Sequence, residues 1–168
     1  MFQINDTVIY GSHGVCKISE IGTLSLSMAD NKKQYYTLRP VYHPTSVIYA
    51  PVENPKTLMR SVISKEDAEK LIREVPDIDS VWIANEKERE SQYKAALQTC
   101  DCRELVKIIK TLYLRKTARI QTGKKVTAVD EKYFRMAESA LYEELAYALD
   151  MEKSMIAPYI SEHVIQKD

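Results

Sequence analysis

Glycine is scarce in this chain: four residues in 168, three of them before residue 23. A loop that cradles phosphates on successive backbone amides needs more glycine than that, and no Gly-rich nucleotide motif is present. The three cysteines, Cys16, Cys100 and Cys102, are odd in number, and the last two stand too close together for an easy disulfide. Reduced thiols, as in a cytoplasmic protein, are expected. His13, Cys16, Cys100 and Cys102 total four soft ligands, yet the C-x2-C spacing of zinc loops is missing, so neither a metal nor any other cofactor is expected. The three histidines, His13, His43 and His163, have no nucleophile–acid pattern around them, and GxSxG and HExxH are absent. An enzyme is therefore not expected. No apolar run approaches the ~20 residues of a membrane span. Residues 1–6 have neither the basic start nor the apolar core of a secretory leader. No membrane, and no small-molecule substrate, is expected among the partners.

What is present is a change of period near Ser64. Before it, apolar residues alternate in short runs such as Val8-Ile9-Tyr10, Tyr35-Tyr36-Thr37-Leu38 and Val47-Ile48-Tyr49. Turn formers separate them, among them Gly11, Gly14, Asp30-Asn31 and Asn54-Pro55. This is the pattern of strands and hairpins. Five strands are expected, at 7–10, 14–25, 33–43, 46–52 and 58–63, closing into a small Tudor- or SH3-like barrel over residues 1–63. Pro40 and Pro51 belong at strand ends or edges, since proline cannot donate to an interior ladder.

After Ser64 the apolar spacing becomes three and four, as in Leu105, Ile108, Ile109 and Leu112, and residues 64–168 are expected to be all-helical. The fold class is thus α+β. Ser64, Asn85, Asp101 and Thr127 are placed to cap helices near 65–74, 86–99, 102–121 and from 128 onward, with Gly123 ending the third and a short last helix near 151–165. A small β module joined to a helical one suits bringing two macromolecules together better than catalysis.

The net charge of zero conceals a basic block. Residues 103–135 hold ten Lys/Arg against three acids, a local excess of seven. On the third helix Arg103, Lys107 and Lys110 lie opposite the apolar face, and Arg115, Lys116 and Arg119 extend the positive surface toward Lys124-Lys125. Such a row can follow a phosphate backbone without reading base sequence. A plain solvated helix face is the alternative. Trp82, the single tryptophan, has two readings: a packed residue between Val81 and Ile83, or a wedge between base steps.

These motifs, in their order, resemble those of the CarD/CdnL family of bacterial transcription regulators, whose N-terminal module is shared with the transcription-repair coupling factor. Phe2-Gln-Ile-Asn-Asp-Thr-Val-Ile-Tyr10 with His13-Gly14-Val15 is similar to the family's opening, and Pro51-Val52-Glu53-Asn54 to its turn after the fourth strand. In the helical half, Tyr93-Lys94-Ala95-Ala96-Leu97, the run from Glu104 to Arg115, and Thr127 with Asp130-Glu131-Lys132, Met136-Ala137 and Glu144-Leu145 resemble family segments.

The resemblance implies a division of labour. The β module would dock on the RNA polymerase β subunit, and the helical module would contact promoter DNA at the edge of the bubble and stabilise the open complex. Candidate polymerase contacts are Tyr36, Leu38, Ile48 and Tyr49, the last standing where the family has an arginine. Candidate DNA contacts are Arg89, Lys94, Lys107, Lys110, Arg115 and Lys132. Arg89 occupies the position of the family's aromatic wedge, so the wedge does not carry over. A protein-binding adaptor of the same ancestry, without DNA engagement, is the alternative, and the acids from Glu86 to Glu90 favour it.

Overall fold

Short alternating runs separated by tight turns leave the first sixty residues one way to bury their apolar side chains, which is to pair as neighbouring antiparallel strands. The computed structural model describes residues 1–24, 32–53, 55–81, 83 and 85–165, with side chains through 163. It contains β1 (Thr7–Tyr10), β2 (Val15–Gly22), β3 (Tyr35–Pro40), β4 (Ile48–Pro51) and β5 (Met59–Ser61). They form one antiparallel sheet in the order β4-β3-β2-β1-β5. The end of the strand expected at 14–25, the Asp30-Asn31 turn, Asn54 and Trp82 lie outside the described residues.

Side-chain parity shows how the sheet buries its core. Val8 and Tyr10, Cys16 and Ile18, Tyr36 and Leu38, and Ala50 form one buried cluster, with Phe2, Ile21, Ile48, Val52 and Met59 packed against it. A register shift between Ile18 and Glu20 inserts one residue into β2. That bulge switches the parity of the strand, so Ile21 joins Cys16 and Ile18 on the core side. Ser19 turns its hydroxyl to donate to the Thr37 carbonyl at 3.2 Å. Gly11 makes the turn after β1 possible: its φ is +49°, and a Cβ there would sit 2.4 Å from Thr57 Cγ2. The α+β class holds. The expected barrel does not close, because β4 and β5 each pair on one side only among the described residues.

The helices are α1 (Lys65–Glu74), α2 (Arg89–Gln98), α3 (Cys102–Gln121), α4 (Ala128–Leu149) and α5 (Ile156–Ile165). Each expected cap is made. Ser64 Oγ accepts from Asp67 N, Asp101 Oδ1 from Arg103 N and Thr127 Oγ1 from Asp130 N. Asn85 Oδ1 accepts from Lys87 N, starting a 3-10 turn over Glu86–Glu88 that leads into α2. Gly123, at φ +78°, ends α3 in a paired-carbonyl motif with Lys124 N on Arg119 O and Gly123 N on Ile120 O. α4 ends the same way, but the left-handed residue is Asp150, at φ +53°.

The chain falls into two compact units, residues 1–62 and 63–168. In the second, α3 packs along α4 and α2 lies against both, while α1 contacts α4 and α5. Leu105, Ile108 and Leu112 of α3 and Tyr133, Ala137, Leu141 and Leu145 of α4 are buried. Glu144 lies in this interior, 2% exposed, where it accepts from Ile63 N at 2.9 Å and from Cys102 Sγ at 3.3 Å. No described helix is long and apolar enough to cross a membrane.

Candidate functional site

In the β unit the open position is the outer side of β4. Val52 N donates to Gln34 O at 3.0 Å, directly across from it. Hydrogen-bonded pairs alternate along an antiparallel ladder, so Ala50 and Ile48, opposite Tyr36 and Leu38, turn their backbone groups inward. The N–H and C=O of Tyr49 and the C=O of Pro51 then point away from β3. Proline's missing N–H falls where no ladder bond is lost, which is why Pro51 is tolerated there. Tyr49 is 43% exposed, and Val41 and Val47 beside the strand are exposed as well.

Burial divides the four residues expected to dock a polymerase. Tyr36 and Leu38 belong to the core, at 4% and 0% exposure, and a side chain with no free surface has no contact area to offer. Ile48 is half-buried against the same cluster. Tyr49 is left as the exposed member. Alternation shows which residues share a face but not which face is the inner one.

In the helical unit the expected DNA contacts are mostly engaged internally. Lys94 lies 4.0 Å from Glu90, and Lys107 3.1 Å from Glu104. Lys110 Nζ donates to the carbonyls of Val75 and, at 2.6 Å, Ile78, closing the turn that Pro76 sets after α1. Arg115 is the centre of a network. Its Nε donates to Asp130 Oδ2 at 2.5 Å, while Nη1 and Nη2 grip both oxygens of Glu86 at 2.7 and 2.9 Å. Tyr93 Oη accepts from Arg89 Nη1 at 2.8 Å and donates to Asp130 Oδ1 at 3.1 Å. Tyr133 donates to Glu90, and Lys132 sits over the Tyr133 ring at 5.4 Å.

The electrostatics follow the geometry. The hydrogen bonds from Arg115 hold the Glu86 carboxyl below its usual range, and those to Glu86 and Asp130 raise the guanidinium further. Burial pushes the Tyr93 and Tyr133 phenols up. Lys116, Lys124 and Lys125 are exposed, and no described residue pairs with their ammonium groups. Together with Arg119, whose Nε is held by the Lys125 carbonyl, they cluster at the α3–α4 turn. Glu86 and Asp130 were legible only as a flanking acid and a helix-start acid. The i,i+3 spacing of Glu86 and Arg89 was the one local hint of the network. No group of three or more His, Cys, Asp and Glu among the described residues is placed to hold a metal ion.

The β unit is a bulged antiparallel sheet whose edge strands are β4 and β5. Residues 2–63 match the model of the CarD-like/TRCF RID domain, to which the β unit is similar. The family is a non-enzymatic RNA polymerase interaction module, and the likeness read from the opening motif holds over this unit. No curated protein matches the chain.

Proposed function

We propose that this protein is a transcription regulator that docks on the β subunit of RNA polymerase by pairing an extended strand with the outer side of β4. The observation that carries the reading is the unpaired edge itself, with Tyr49 N–H turned outward and the Tyr49 ring exposed beside it. Main-chain bonds would supply the affinity, and Tyr49 with Val47 the side-chain selection. Tyr49→Pro tests this, because it removes the outward donor without removing a bond of the internal ladder. The full-length variant should keep its far-UV spectrum and lose retention on immobilised β subunit, whereas Tyr49→Ala should retain part of it. Equal retention by Tyr49→Pro and wild type would sink edge pairing.

For the helical unit, promoter contact that favours the open complex is the first reading, since a binder with higher affinity for opened DNA shifts that equilibrium. The exposed cations at the α3–α4 turn support it, and Lys132 on α4 is exposed as well. The adaptor reading is favoured by a different observation: Arg89, Lys94, Lys107, Lys110 and Arg115 all have partners within the unit. Binding to forked DNA at several salt concentrations separates the two. If the turn meets phosphates, Lys116, Lys124 and Lys125 changed together to Ala should lower the salt slope by about three, one per contact. Salt-independent or absent binding would leave the adaptor.

A further inference from the structure

A groove of about 480 Å³ opens between Ser80, Val81 and Ile83, the start of α2 and the C-terminal half of α3. Val81, Ile83 and Leu114 supply its apolar walls, and Arg89, Arg115, Arg119 and Lys124 its cations. Arg89 and Arg115 are built into the unit, with side chains 16% and 15% exposed. The Glu86 carboxylate lies across them, both oxygens committed to the Arg115 fork. Arg89 Nε is buried and has no hydrogen-bond partner, although Glu86 Oε2 stands only 3.4 Å away. Three converging donors thus meet an anion with two oxygens. A buried donor left unmet forfeits its hydration without replacement, so this arrangement favours an occupant with a third acceptor.

Glu86 is the most exposed member of the network. It sits on a single 3-10 turn with its side chain 69% exposed, so it can leave the two arginines without moving a packed element. When it swings out, Arg115 stays oriented by Asp130 through Nε and offers its Nη1/Nη2 edge, the geometry that grips phosphate bidentately. We propose that the groove binds a phosphate monoester carried on an apolar body, Arg89 and Arg115 holding its three terminal oxygens in the place where Glu86 now stands. A phosphodiester has two terminal oxygens and a single charge, as the carboxylate has. The site therefore discriminates against a nucleic-acid backbone. This assignment is independent of what the β unit docks on.

Titration of the full-length protein with phenyl phosphate, inorganic phosphate and the diester methyl phenyl phosphate tests it, read by calorimetry and by the arginine Nε–Hε resonances. Phenyl phosphate should bind at least about tenfold more tightly than either comparison ligand, and should shift the Arg89 and Arg115 resonances. Glu86→Ala, which removes the competing carboxylate, should tighten phenyl phosphate by about tenfold or more, and Arg89→Lys should weaken it by a similar factor. Unchanged affinity in Glu86→Ala would overturn the displacement. Equal affinity for the diester would point to backbone phosphate contact instead, and equal affinity for inorganic phosphate would remove the groove from the account. The ratios among the three ligands in the wild-type protein decide the matter even if a variant fails to fold.

Discussion

Arg115 shows how differently one residue reads in sequence and in space. Along the chain it is one cation of ten, and a phosphate contact is the natural expectation. In the fold it neutralises Asp130, which is 4% exposed, and holds Glu86 at the head of α2. Its removal should therefore be felt in stability first. We expect Arg115→Ala to cost about 2–3 kcal/mol in chemical denaturation, below the ~3–5 of a fully buried pair because the guanidinium keeps some water. A loss under about 0.5 kcal/mol would return Arg115 to the surface class. The same network sets an acid response. The folded pKa of Glu86 is depressed below about 4.5, so its contribution is present above that value and is lost as pH falls through the folded pKa. The stability gap between wild type and Glu86→Gln should be constant near pH 7 and close as the pH falls through the depressed folded pKa. A gap that persists at low pH would mean that charge is not what Glu86 contributes.

At the scale of elements the helices were legible because their ends are chemical. Ser64, Asn85, Asp101 and Thr127 carry the oxygens that satisfy orphan amides, and each was found doing so. Strand ends were less legible. Pairing, not propensity, decides where a strand stops, and β3 ends at Pro40, short of the expected 43, where the next bond toward β4 would lack a donor although Val41 N still donates to Val15 O at 2.9 Å. Barrel closure was over-read from strand number alone, since nothing local states whether the last strand meets the fourth. The end of α4 carries a testable imperfection. Asp150 holds a left-handed conformation that glycine adopts without steric cost, whereas α3 uses Gly123 at the equivalent place. Asp150→Gly should raise the stability of the helical unit by about 0.5–1 kcal/mol in thermal melts. Destabilisation would mean that the carboxylate has a task beyond the turn.

The whole molecule joins two units of different grammar, and its charge makes sense only unit by unit. Zero net charge said nothing of the cations left over at the α3–α4 turn, nor of the arginines consumed by Glu86 and Asp130. The pairings of Arg115 span 15 and 29 residues of sequence, beyond any local pattern. The match to the CarD-like/TRCF RID domain ends at residue 63, where the second unit begins. The β unit has a continuous core of its own from Val8 to Ala50, and 62 residues stand near the lower limit at which a domain folds unaided. The helical unit is larger and has its own buried centre in Tyr93, Leu112, Tyr133 and Leu145. We expect isolated 1–62 and isolated 63–168 each to unfold cooperatively, the first with a β-sheet far-UV spectrum and retention on the polymerase β subunit. The second should bind phenyl phosphate as the full chain does. A disordered 1–62 fragment would mean that the β core needs the helical unit to close it. A folded fragment that no longer binds polymerase would move the docking surface off the β4 edge and onto the helices.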